Sequence, residues 1–115
     1  MKLLKQIQEL AQTLHPKWVN YRRHLHQNPE LSFQEFKTSE WIQSILKEEG
    51  IAFESGWVKT GITVIIEGKN PDSRKISLRG DMDALPILEQ NEVAYKSANP
   101  GVMHACGHDV HTTCV

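Results

Sequence analysis

The sequence has 115 residues, 39% of them hydrophobic, and its 13 basic and 14 acidic side chains leave a formal charge of -1. A chain of this length buries one modest core, and so balanced a charge gives no electrostatic footprint for nucleic acid or an anionic membrane surface. No stretch approaches the ~20 apolar residues of a membrane span and the N-terminus lacks the apolar core of a secretory signal, so the cytoplasm is the default expectation, where two cysteines serve as ligands or nucleophiles rather than staples.

Apolar residues at Leu3, Leu4, Ile7, Leu10, Ala11 and Leu14 follow the three-and-four rhythm of an amphipathic helix. Pro16 is expected to interrupt it, and a second helical stretch carrying Trp18, Val19, Tyr21 and Leu25 restarts there and ends at Asn28-Pro29. The run Arg22-Arg23-His24-Leu25-His26 reads as a solvated basic helix end that complements the helix dipole, and no chemistry is assigned to it. Ser32-Phe33-Gln34-Glu35 fits a capping box, which predicts a helix from about Phe33 to Glu49 with Phe36, Ile42, Ile45 and Leu46 toward the core. Gly50 then stands where a left-handed C-terminal cap is wanted.

Beyond Gly50 the pattern becomes strand-like. Ile51-Ala52-Phe53 is a short candidate and Ile62-Thr63-Val64-Ile65-Ile66 a stronger, β-branched one. A polar break from Gly68 to Ser73 leads to a third candidate at Ile76-Ser77-Leu78, giving a hairpin or neighbouring strands in one sheet. Helices preceding strands place the chain in the α/β or α+β class. No repeat or linker divides it, but a modest apolar share and an ending at Cys114-Val115, where a helix is starting, lead us to expect the N-terminal part of something longer.

The third strand runs into Arg79-Gly80-Asp81-Met82-Asp83-Ala84-Leu85-Pro86. Asp81 and Asp83 are two apart, so on an extended exit both project to one side, and strand ends are where open α/β sheets place their sites. Such a pair can ligate a metal, orient a ligating histidine or simply cap a turn before Pro86.

The last dozen residues carry the densest chemistry. Met103-His104-Ala105-Cys106-Gly107-His108-Asp109-Val110-His111-Thr112-Thr113 holds one thiol, three imidazoles and one carboxylate, the donors that borderline-soft divalent metals prefer. Cys106 and His108 share an ion only from an extended or looped segment, which Gly107 permits. His108 and His111 are three apart and lie on one face if a helix begins there. One consistent assembly has Cys106 and His108 on a metal, with Asp81 orienting from behind and His104 or His111 in supporting places. The same residues also allow a Cys106 nucleophile activated by His104 or His108, or a small closed metal-binding module without catalysis.

Three ordered blocks carry a resemblance: Arg23-His24-Leu25-His26-Gln27-Asn28-Pro29-Glu30-Leu31 with Gln34-Glu35, Leu78 to Ile87, and Gly101 to Thr113. Together they resemble the metal-dependent N-acyl-amino-acid amidohydrolases, the group of hippurate hydrolases, indoleacetyl-amino-acid hydrolases and N-acetyl-diaminopimelate deacetylases within the co-catalytic metallopeptidases. The resemblance implies that residues 1–115 form the N-terminal portion of a zinc-peptidase-like, three-layer α/β catalytic domain with a mixed sheet, without the dimerisation domain. It implies Cys106 and His108 as the first two metal ligands and Asp81 as the active-site aspartate beside two divalent ions, whether zinc, manganese, cobalt or nickel. The implied substrate is a small N-acyl amino acid and the intact parent a homo-oligomer. A glutamate base and further ligands would follow downstream, so residues 1–115 alone are expected to be inactive or nearly so. The family usually has Ala where this chain has Gly80.

Overall fold

The computed structural model describes residues 2–115. Helix α1 spans Lys2–Gln27 and runs straight through Pro16, where the sequence predicts a break. An internal proline removes one helix hydrogen bond and presses on the carbonyl four residues back. Here that carbonyl belongs to Gln12, which is exposed, so water can satisfy it, and the good helix formers Leu10, Ala11, Gln12 and Leu14 precede the position. The predicted end holds: the Asn28 amide reaches the His24 and Leu25 carbonyls, the Asn28 side chain doubles the bond to His24, and Pro29 follows.

Helix α2 spans Phe36–Glu48, beginning three residues later than the capping-box reading places it. Phe33 sits at φ 63 and cannot join a helix. The Glu35 carboxylate instead accepts from the Phe33 amide at 3.0 Å and from the Thr60 hydroxyl at 2.9 Å, while the Ser32 hydroxyl turns to Asp83. The orphan amides of the first turn go to Glu30, whose Oε1 accepts from Thr38 N at 2.6 Å and Thr38 Oγ1 at 2.7 Å, and whose Oε2 accepts from Lys37 N at 3.2 Å. Glu30→Ala is therefore expected to lower stability by about 1 kcal/mol, at the scale of a lost N-terminal cap, whereas Ser32→Ala leaves the helix start intact. Urea titration followed by circular dichroism separates the two, and equal losses would contradict the assignment.

At the other end the Gly50 prediction holds. Gly50 adopts φ 69, its amide bonds the Lys47 carbonyl at 3.1 Å and the Ile51 amide bonds Leu46 at 2.8 Å, the paired closure of a Schellman motif. Ile42, Ile45 and Leu46 are half-buried, but Phe36 remains exposed.

Strands β1 (Phe53–Trp57) and β2 (Gly61–Val64) form an antiparallel hairpin with Phe53 opposite Val64, Ser55 opposite Ile62 and an irregularity at Gly56. Among the described residues Lys75 to Leu78 is not a strand, contrary to expectation: no neighbouring backbone pairs with it, and Ile76 and Leu78 stay exposed. The chain is an α/β structure of helices with a small antiparallel sheet.

Residues 79–107 are held by two isolated bridges rather than regular structure. Ala84 lies against Leu31 and donates to the Glu30 carbonyl at 2.8 Å, and Leu85 exchanges two 2.9 Å bonds with Met103. Helix α3, His108–Cys114, then packs on α1. Leu25, Pro29, Ala84 and Val102 are the buried apolar residues, fewer than the buried polar ones (His26, Glu35, Thr38, Ser39, Thr60, Glu89, His104 and Asp109). Buried polar groups need partners, so hydrogen bonds organise much of this interior.

Candidate functional site

The C-terminal loop turns into a helix as its spacing predicts. Gly107 stands at φ 81 before α3, the left-handed conformation a residue without Cβ adopts freely, and its carbonyl accepts from Val110 N at 3.0 Å and His111 N at 3.1 Å. This turn leaves Cys106 exposed on the loop and makes His108 the first residue of the helix. Both cysteines are free thiols.

His108 is fixed through one nitrogen. Its Nδ1 lies 2.9 Å from the Asp83 carbonyl and 2.9 Å from Asp83 Oδ1. Two acceptors at Nδ1 require that nitrogen to donate, so in the neutral ring Nε2 carries the lone pair a metal can use. Asp83 Oδ2 in turn accepts from the Ser32 hydroxyl at 2.6 Å. The Ser32 hydroxyl, more than any other group, holds the Asp83 carboxyl below its ordinary value; burial opposes this, and the residue's own amide and His108 support it.

The carboxylate behind His108 thus belongs to Asp83, not to Asp81 as the sequence reading places it. Asp81 Oδ1 pairs with Arg79 Nε at 2.7 Å in a largely exposed contact, and only its backbone carbonyl reaches α3, accepting from Thr112 Oγ1 at 2.8 Å. Two-residue spacing put both carboxylates on one side, but the bridges at Ala84 and Leu85 pin Asp83, and nothing comparable pins Asp81. Gly80 lets α3 approach closely: a Cβ there would stand 3.1 Å from Thr112 Cα and 3.3 Å from the His111 carbonyl.

Asp81, Asp83 and His108 line an open cleft of about 520 Å³, with Phe33 and Trp57 on its wall. His111 is exposed, its ring centroid 5.8 Å from that of His108. His104 is buried with neither ring nitrogen hydrogen-bonded, and burial lowers its pKa and favours the neutral ring.

The donor chemistry fits a divalent, borderline-soft metal. Cys106 offers an accessible sulfur, and His108 has the carboxylate-anchored Nδ1 typical of metal-bound imidazoles. Among the described residues no group of three or more His, Cys, Asp or Glu side chains is placed to hold an ion. These two donors alone would be fewer than the three protein ligands that a catalytic zinc requires.

The sequence reading missed a second constellation. His26, expected in a solvated basic run, is buried, with Nδ1 2.7 Å from Asp109 Oδ2 and Nε2 2.9 Å from Glu89 Oε1. Arg22 Nε is 2.9 Å from the same Asp109 oxygen, in ion-pair range but not aligned to donate. Burial alone would raise the Glu89 carboxyl, yet hydrogen bonds from His26, Ser97 N and Asn91 bring it down to about 2. His24 stacks on Trp41 with centroids 4.2 Å apart, and burial lowers its pKa. The only local hint of this cluster was the i,i+4 pair Arg22 and His26 on one helix face.

The chain is similar to known hydrolases. Residues 77–115 match the model of peptidase family M20/M25/M40. A Synechocystis protein named a probable hydrolase is 48% identical over 108 residues, covering 94% of this chain and 28% of that protein. The N-acetyl-L-cysteine deacetylase of Bacillus subtilis is 47% identical over 103 residues, covering 90% of this chain and 24% of the enzyme. The crystal structure of the Bacillus subtilis YXEP protein, described as a dinuclear metal-binding peptidase from the M20 family, superposes with a TM-score of 0.82 at 45% identity, covering 89% of this chain and 29% of that one. The chain spans about a quarter of the length of the relatives it matches.

Proposed function

We propose, for a chain that carries the sequence and the fold of peptidase family M20/M25/M40, that it forms the N-terminal portion of a catalytic domain hydrolysing the amide bond of small N-acyl amino acids. The observation that carries this reading is the fixed imidazole of His108, anchored at Nδ1 by Asp83, two residues after an exposed free thiol at Cys106. The deacetylase among the relatives supports the substrate class.

Cys106 and His108 would hold a divalent ion, zinc by softness, with manganese, cobalt and nickel open. When bound, such an ion, or a pair of them, supplies Lewis acidity and a water acidic enough to attack a carbonyl. This chain's own residues would do the positioning: Asp83 keeps the proton on His108 Nδ1, Ser32 holds Asp83, and Gly107 makes the left-handed turn between Cys106 and His108. Asp81, at the cleft rim beside Arg79, is retained in the reading as an active-site carboxylate. Homo-oligomeric assembly of the intact parent and a cytoplasmic setting belong to the same proposal; no helix among the described residues is long and apolar enough to cross a membrane.

The test uses the full-length polypeptide and a panel of N-acetyl amino acids. A chelator is expected to abolish hydrolysis and divalent metal to restore it, with Cys106→Ala and His108→Ala each losing more than the ~10–100-fold typical of an outer partner. Hydrolysis that survives chelation but is lost on thiol alkylation would replace the metal reading with a cysteine nucleophile.

A further inference from the structure

We propose that His26 is a positioning residue for the candidate metal site, acting through Asp109 to set the rotation of α3 and so the direction of His108. The inference rests on the metal reading of Cys106 and His108 given above.

Asp109 follows His108 directly, and on an α-helix successive side chains point about 100° apart. Fixing one therefore fixes the other. Helix α3 packs against α1. Its Asp109 side chain is 1% exposed and turned into α1, where His26 Nδ1 meets Oδ2 at 2.7 Å, while His108 on the adjacent position meets Asp83.

His26 is itself held from the far side. Its Nε2 faces Glu89 Oε1 at 2.9 Å, and Glu89 is anchored by Ser97 N at 2.7 Å and Asn91 Nδ2 at 3.2 Å. Both nitrogens face carboxylate oxygens, and Arg22 Nη2 also lies 3.3 Å from Nδ1, so the ring is held from both sides. The ring is 4% exposed, so water cannot stand in for either partner. A chain of contacts therefore runs from the loop at Ser97 through Glu89, His26 and Asp109 to the residue next to His108, in a segment whose charge pattern alone reads as a solvated helix end.

A merely structural role predicts that any break in this chain lowers stability and nothing else. Positioning predicts a split between the two sides of the ring. His26→Asn keeps an amide donor where Nδ1 meets Asp109, His26→Gln keeps one toward Glu89, and Glu89→Gln removes the charge on the far side while sparing Asp109. The readout, in the metal-free full-length chain, is the pair of His108 ring nitrogen-15 shifts, which report whether Nδ1 alone carries the proton. Co(II) titration followed by the thiolate-to-cobalt absorption adds the second measurement.

His26→Asn and Glu89→Gln are expected to keep the Nδ1–H form of His108. His26→Gln is expected to average the two tautomers and to weaken Co(II) binding about 10–100-fold. Asp109→Asn, whose amide oxygen can still accept from His26 Nδ1 but without the charge, is expected to shift the tautomer in the same direction as His26→Gln by a smaller amount, and carries the comparison if His26→Gln does not fold. The proposal is overturned if His26→Gln or Asp109→Asn preserves the wild-type tautomer, or if Glu89→Gln shifts it as far as they do. A wild-type chain with no thiolate–cobalt band would instead sink the metal reading, and the tautomer comparison would still decide the role of His26.

Discussion

Asp83→Ala is expected to weaken divalent-metal binding in the full-length protein by about 10–100-fold, the range seen when the outer partner of a ligating histidine is removed. Two of the three contacts that hold this corner meet in that one carboxylate: His108 Nδ1 at Oδ1 and the Ser32 hydroxyl at Oδ2. Without it, only the Asp83 backbone carbonyl remains for Nδ1, and the ring can exchange its proton to Nε2, which removes the lone pair from the metal-facing nitrogen. Asp83→Asn should be milder, because an amide oxygen can still accept from Nδ1 while the charge that raises imidazole basicity is lost. Asp81→Ala is the informative comparison. Its ion pair with Arg79 is solvent-exposed, of the kind worth ~0–1 kcal/mol, and its carbonyl bond to Thr112 survives truncation. Calorimetric titration with Zn(II) or Co(II) should rank the variants Asp83→Ala, Asp83→Asn, Asp81→Ala in decreasing effect. A larger loss for Asp81→Ala would restore Asp81 as the carboxylate behind the ligand and discard the geometry found here.

That ranking shows how far local pattern reaches. Gly107, the turn into α3 and the Gly50 cap were legible because each follows from backbone freedom at a single residue and its immediate neighbours. Cys106 and His108 stood out as candidate donors from chemistry and spacing. The choice between Asp81 and Asp83 was not, since a two-residue period puts both on the same side and the deciding contact joins Ala84 to Leu31, far apart in sequence. The capping box failed for a related reason. Ser32 and Glu35 had the right spacing, but Asp83 and Thr60 offered each a tertiary partner, and Glu30 took over the helix start. His26 was misread because a run of basic residues has the same local signature whether it faces water or two carboxylates 63 and 83 positions away. Pro16 shows the converse: a strong local signal gave way where the carbonyl it disturbs, that of Gln12, is open to water.

The largest stability loss is expected at Asp109. Its carboxylate is fully enclosed between His26 Nδ1 and Arg22 Nε, and Asp109→Ala leaves the buried ring facing no acceptor on that side. Removing one member of a buried ionic set typically costs about 3–5 kcal/mol. Arg22 is 31% exposed and can regain water, whereas His26 at 4% cannot, so most of the penalty falls on the histidine. The Glu89 side of the same cluster adds a pH signature with a definite sign. Its carboxyl titrates at about 2 in the folded chain against an ordinary 4.5, so the unfolded chain takes up the proton first. The stabilisation from Glu89 is therefore complete above about pH 4.5 and is lost as the pH falls from there toward about 2. Glu89→Gln has no proton to gain, so its thermal midpoint should lie below wild type at neutral pH and fall less steeply across that window. Parallel slopes for the two proteins between pH 5 and pH 2, measured by thermal denaturation at fixed ionic strength, would mean that His26 and its neighbours do not hold Glu89 in its charged form.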